Sequence, residues 1–246
     1  MKIKNEKELF DLFVADKDEF RDNLKTPFIP EHDGRVWATD GYVLIMVNPY
    51  CISGKYEIRD FGRSMHLTVT NCDEFLSVSD LRDALRRCPQ EPEMKIKSVK
   101  VVQCPECDGT GVVSAEYEAD YDDHVYKIEV DCPICDGEGT IEEEVKEPTG
   151  NSFPTKDSII KLGKAYFRCF RIDKIIKTCE MLKIDIIKLV RTDIASPSTF
   201  ELTKDIHICV MPMHLGALSE QEKKSAIEVK FTELKLTGYI PKQSKR

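Results

Sequence analysis

The sequence predicts an α+β fold in which one order of elements, a strand, a helix and three strands, occurs twice, with a cysteine-bearing hairpin between the copies. Three features carry this reading: short apolar stretches separated by turn residues, apolar stripes at helical spacing, and two matching cysteine octapeptides near the middle of the chain. The 246 residues, 41% hydrophobic and 33% charged, provide for one large domain or two small ones. A formal net charge of -8 argues against coating nucleic acid through bulk charge, while leaving room for a local basic face.

The first copy opens on Lys2-Ile3-Lys4, a short strand, followed by a helix from Glu6 to Phe20 with Leu9, Leu12, Phe13 and Phe20 on its apolar side. Three extended stretches follow, at 26–31, 35–39 and 42–48. His32-Asp33-Gly34 and Asp40-Gly41 supply the turns between them. The second copy begins with a strand at 165–170. A helix then carries Ile172, Ile175, Ile176, Cys179 and Leu182 on one stripe, and strands at 185–191, 198–203 and 206–211 complete the order.

Between the copies, Ser79 to Cys88 reads as an amphipathic helix with Ser79 as N-cap and Pro89 just past its end. Residues 94–103 lead as a strand into Cys104-Pro-Glu-Cys107-Asp-Gly109-Thr-Gly111. The same pattern returns as Cys132-Pro-Ile-Cys135-Asp-Gly137-Glu-Gly139. Two residues between the cysteines of a pair let both sulfurs face one ion, and two pairs make a closed tetrahedral shell. One structural zinc held by Cys104, Cys107, Cys132 and Cys135 is therefore expected. The intervening 112–119 and 124–130 alternate as a hairpin around the polar Asp120–Asp123 turn. His124 sits at that turn and is not needed as a ligand. The acidic group Glu116, Glu118, Asp120, Asp122 and Asp123 reads as a solvated tip. Residues 148–157, with Gly150 and Pro154, read as a flexible linker.

Residues 104–139 resemble the cysteine-rich region of DnaJ-type chaperones, which is built from Cys-x-x-Cys-x-Gly-x-Gly repeats. Four repeats there make two zinc sites, so two repeats here imply one. The 24-residue spacer between Cys107 and Cys132 is longer than in common zinc ribbons, and no His-Pro-Asp tripeptide of a J-domain is present. A co-chaperone activity is not implied.

A second resemblance joins the two copies. Val36-Trp37-Ala38-Thr39-Asp40-Gly41-Tyr42-Val43-Leu44 resembles the Ala-Thr-Asp-Gly-His-Arg-Leu stretch of the bacterial sliding clamp of the replicative DNA polymerase. Cys209-Val210-Met211-Pro212-Met213-His214-Leu215 resembles its closing Val-Met-Pro-Met-Arg-Leu. Clamp domains are doubled strand–helix–three-strand units, so the resemblance implies one clamp-like domain split into 1–48 and 164–214. The zinc module would lie within a 49–163 insertion, and 215–246 would form a C-terminal extension. Tyr42 and His214 depart from the family pattern. In the extension, Ser219 to Glu222 is a capping box that starts a helix, whereas Ile227, Val229 and Phe231 alternate like a strand; 242–246 is a basic tail.

In clamps the helices face DNA. That role would fall here to Arg171, Lys174, Lys177 and Lys183, which surround the second helix, while the first helix is acidic. The resulting expectation is a non-catalytic, zinc-binding, clamp-like protein that binds DNA or a replication or repair protein and can self-associate. The alternative is a DnaJ-like zinc hairpin for protein–protein or chaperone-type interaction. No Ser-His-Asp or Cys-His signature and no phosphate-binding glycine loop is present, and four thiolates leave zinc no position for water. No export signal and no uncharged apolar run of about 18 residues occurs, so the expected setting is cytoplasmic and away from membranes. There the six other cysteines would be buried thiols.

Overall fold

The computed structural model describes residues 2–17, 19–61, 72–118 and 125–232. They fall into two compact units, one formed by 1–90 with 154–246 and the other by 91–153. In chain order the elements are α1 (Glu6–Asp11), β1 (Phe28–Pro30), β2 (Val36–Thr39), β3 (Val43–Val47), β4 (Glu57–Arg59), β5 (Glu74–Ser77) and α2 (Val78–Arg87). Next come β6 (Gln90–Gln103), β7 (Val112–Glu118), β8 (Val125–Asp131) and β9 (Thr140–Pro154). The chain continues with β10 (Ile159–Leu162), β11 (Ala165–Arg168), α3 (Cys169–Leu182), β12 (Ile186–Arg191), β13 (Ser198–Thr203), β14 (Ile206–Val210), α4 (Glu220–Ser225) and β15 (Ile227–Val229).

The larger unit is organised by an eight-stranded sheet in the order β4-β1-β2-β3-β14-β13-β12-β5. Its six inner strands consist of two antiparallel three-strand sets, each in sequence order, that meet through their last strands. Val43 lies opposite Val210 and Leu44 opposite Cys209. The order is thus first-second-third, third-second-first, the pattern a two-fold repeat produces. All five residues of β3 are buried because both faces of the sheet are covered. Val43, Ile45 and Val47 join the main core under α1, α2 and α3, whereas Leu44 and Met46 join Phe28, Trp37 and Cys209 on the opposite face.

α3 follows the apolar stripe read from the sequence, burying Ile172, Ile175, Ile176 and Cys179. It ends where Lys183 takes a left-handed φ of 57° and sends its N–H to the carbonyls of Cys179 and Glu180. The strands at 28–30, 36–39, 43–47, 186–191, 198–203 and 206–210 lie within the expected stretches.

Several expectations are corrected. The helix expected over 6–20 stops at Asp11; its last turn has no basic residue, and Asp11 and Asp16 place negative charge where the helix dipole is already negative. Leu12 and Phe13 still pack on the core through the following turn, and the Ala15 N–H is taken by the Leu24 carbonyl. Residues 2–4 are not a strand: Ile3 is anchored by a backbone bond to Cys51. α2 begins one residue before the expected cap, with Ser77 at the cap position; Ser77 and Ser79 share a hydroxyl bond of 2.6 Å, and the Val78 N–H is satisfied by the Asp185 carbonyl. Most of the expected linker is strand, since β9 runs to Pro154, where Thr149 and Asn151 are both fastened to the Glu93 carboxylate.

β4, β5 and α2, which the sequence places between the halves, contribute to the larger unit. β5 pairs antiparallel with β12, and Leu81, Ala84 and Leu85 enter the main core. The extension holds both a helix and a strand: the capping box of Ser219 and Glu222 starts α4, and β15 then pairs parallel with β10 through Ile227 and Val229. The basic 242–246 tail lies outside the described residues.

In the smaller unit β6 pairs with β9 and β7 with β8, making two ribbons. Among the described residues no helix is long and apolar enough to cross a membrane.

Candidate metal centre and binding cavity

The four cysteines of the two octapeptides are brought together in the smaller unit, with their sulfurs all within 4.8 Å of one another and all four buried. Cys104 and Cys132 sulfurs are 3.8 Å apart, and those of Cys107 and Cys135 are 3.7 Å apart. A tetrahedron with metal–sulfur bonds of about 2.3 Å has edges of about 3.8 Å, so the spacing suits an ion. It is far too long for a disulfide of about 2.05 Å.

The surrounding backbone explains the glycines. Asp108 and Asp136 take φ of 49° and 48°, and Gly111 and Gly139 take 79° and 73°. These turns aim the Gly111 N–H at the Cys107 sulfur, 3.3 Å away, and the Gly139 N–H at the Cys135 sulfur, 3.2 Å away. The two knuckles are also tied crosswise: Cys104 N–H bonds the Gly139 carbonyl and Cys132 N–H bonds the Gly111 carbonyl. A Cβ on Gly111 would overlap the Gly137 carbonyl, and one on Gly139 would overlap the Gly109 carbonyl. Burial raises the Cys107 thiol, but the Gly111 N–H and the three neighbouring thiols outweigh it and lower its pKa to about 7. Burial and the thiols of Cys107, Cys132 and Cys104 push Cys135 up to about 11 against the opposing Gly139 N–H. His124 and the acidic residues Asp120, Asp122 and Asp123 lie outside the described residues.

In the larger unit, the two clamp-resembling stretches lie side by side although they are far apart in sequence. The Met211 N–H bonds the Tyr42 carbonyl at 2.9 Å. Together they line an open cavity of about 740 Å³, with Thr39, Gly41 and Leu44 on one side and Cys209 and Met211 on the other. Trp37 and Phe61 supply aromatic walls in edge contact, 6.0 Å between centroids. Asp40 fixes the turn at the rim: one carboxylate oxygen accepts the N–H groups of Tyr42 and Val43, both at 2.8 Å, and the other accepts Lys174 at 2.7 Å. Gly41 needs its positive φ of 91° there.

The four basic residues expected to face nucleic acid are placed as follows. Arg171 donates to the Met211 carbonyl at 2.7 Å and stacks 4.6 Å over the Tyr42 ring, so it clasps the two stretches together. Burial lowers its pKa. Lys174 is paired with Asp40, and Lys177 with Asp173 at 2.7 Å one helical turn away. Lys183 caps α3. The bracing roles of Arg171 and Lys174 depend on partners distant in sequence, which charge spacing along a helix does not reveal. Trp37, the one tryptophan of the chain, was the available sign of the aromatic wall.

No family model and no curated protein matches the sequence. Among solved structures the chain is similar to the DNA polymerase III subunit beta of Pseudomonas aeruginosa, at 13% identity and a TM-score of 0.38, over 85% of this chain and 65% of that one. It is also similar to the subunit from Borrelia burgdorferi, in complex with a natural product, at 12% identity and a TM-score of 0.43, over 88% and 62%. For the Thermotoga maritima subunit the values are 15% and 0.40, over 87% and 65%. The chain thus spans just under two thirds of the length of these bacterial clamp subunits.

Proposed function

We propose that this chain is a zinc-containing, clamp-like, non-catalytic protein of DNA replication or repair. In this reading residues 1–48 and 164–214 are the two halves of the clamp-like domain, and the zinc module is carried between them. The observation that carries the reading is the convergence of Thr39–Leu44 and Cys209–Met211 on one cavity, across strands arranged as a two-fold repeat. An open, largely apolar trough with a few polar rim groups suits an extended apolar peptide from a partner protein.

Partner protein is favoured over DNA as the principal ligand, because Arg171, Lys174 and Lys177 already have internal partners. The metal centre supports the non-catalytic reading, since four sulfurs close the shell of a zinc ion, which would then order its backbone without taking part in chemistry. Burial pushes the Cys209 thiol in the cavity wall up to about 11, leaving it inert at neutral pH. Ten unpaired cysteines fit a reducing, cytoplasmic setting.

Selection of random displayed peptides on the zinc-loaded chain tests this. Apolar peptides should be enriched and then lost on Met211→Asp, with circular dichroism unchanged. Enrichment that survives Met211→Asp, or salt-dependent duplex DNA binding with no peptide enrichment, would remove the cavity from the proposal. The second reading, a zinc hairpin that itself contacts proteins, rests on the exposure of Val112, Ile128, Val130 and Ile134 around the metal centre.

A further inference from the structure

The charge of the chain is divided unevenly. Residues 91–153 hold seventeen carboxylates, five lysines and no arginine, a formal -12, against +4 for the remainder, which together give the -8 of the whole. Most of this acidity lies on the two knuckles and the β7–β8 ribbon; on the β6–β9 ribbon it is concentrated on one strand, since β9 carries four carboxylates and one lysine whereas β6 carries two carboxylates and three lysines. The β6–β9 ribbon has almost no interior. In β6 every residue except Val102 is exposed, and most of β9 is exposed as well. Each has the other as its sole sheet neighbour among the described residues, so each leaves one backbone edge unpaired.

A long two-stranded ribbon without a covering layer is marginal on its own, and open edges are templates for strand addition. The chemistry of the two edges differs. On β6, Lys95 and Lys97 share one carboxylate across the ribbon, that of Glu147, at 3.3 Å and 3.0 Å. On β9, Glu142 and Glu143 have no ion partner among the described residues, and Glu144 has only Lys146, at 3.1 Å. Successive residues alternate faces, so these carboxylates line both sides of the β9 edge.

We propose that the free edge of β9 receives an extended cationic segment of a partner protein, added as a third strand with lysine or arginine side chains against Glu142, Glu143 and Glu144. Backbone pairing supplies the geometry and charge supplies the selection. Nucleic acid is repelled by this surface. A ribbon-to-ribbon contact between two copies brings like charges together. The site is separate from the cavity, and either can fail without the other.

The test uses the full zinc-loaded chain and a synthetic peptide of alternating lysine and valine, read by amide hydrogen exchange and by titration at two salt concentrations. The amides of β9 should gain protection, and affinity should fall by about tenfold between about 50 and about 200 mM salt. The triple variant Glu142→Lys, Glu143→Lys, Glu144→Lys should lose binding with zinc content unchanged. Four results would overturn the proposal: protection at the cavity instead of β9, equal binding of a lysine–glycine peptide of the same charge, protection of β9 by duplex DNA, or concentration-dependent protection with no peptide added.

Discussion

The two units are stabilised by opposite means. In the larger one a continuous apolar core spans α1, α2, α3 and the sheet, with Phe10, Phe13, Phe167 and Phe200 fully buried. In the smaller one the buried residues that cluster are the four cysteines, backed by the partly buried Val113 and Ile141. Burial of apolar area accounts for the first, at about 25 cal/mol per Å². Four metal–sulfur bonds would have to account for the second. The difference predicts that order in the smaller unit depends on a bound ion and that order in the larger unit does not.

Removing the metal should break this comparison open. Binding energies of roughly 10 kcal/mol or more are typical of structural zinc at neutral pH. Chelation, or Cys132→Ser, should therefore abolish exchange protection over 104–139 while the sheet of the larger unit stays protected. Unfolding of the whole chain on chelation would show that the units are not independent. Acid should act in the same direction. The metal needs thiolates, so its affinity falls with pH as protons compete, beginning below the value of about 11 of Cys135 and more steeply below the value of about 7 of Cys107. Metal content measured against pH checks the sign.

The converse experiment is Phe167→Ala. Its ring is fully buried and packs edge-on against Phe200 with centroids 6.4 Å apart, so truncation should cost about 3–5 kcal/mol in denaturant unfolding of the larger unit. Metal content should not change. Gly111→Ala is a smaller perturbation of the other kind. It strains a positive φ, pushes on the Gly137 carbonyl and tilts an N–H away from the Cys107 sulfur. A loss of about 10- to 100-fold in metal affinity is expected by competition with a chelator. The smallest effect is Lys183→Gly, which relieves a left-handed non-glycine residue and should stabilise the larger unit by about 1 kcal/mol. A simultaneous loss of any DNA affinity would return Lys183 to the role its charge implies.

How much of this was legible in the sequence follows the range of each interaction. The four-cysteine cluster was readable because its constraint is local: Cys-x-x-Cys and the trailing glycines fix one knuckle within eight residues. α3 was readable because its stripe faces a core. β9 was harder than β6: residues 94–103 were read as a strand, whereas the run of glutamates after Ile141 shows no regular apolar alternation, and Gly150 and Pro154 then read as a linker. Membership of β5 and α2 in the larger unit depends on β5 pairing with Ile186–Leu189, more than a hundred residues onward. The cavity was half legible: both of its stretches stood out, but not that Arg171 would bind them together.

The crossed glycines of the cysteine cluster couple the two octapeptides sterically. The carbonyl that forbids a side chain on Gly111 belongs to the second octapeptide, and the one that forbids it on Gly139 belongs to the first. At positions 111 and 139 any residue larger than glycine in one octapeptide collides with the other. The shared closing glycine of the two octapeptides is thus a requirement of their packing against each other.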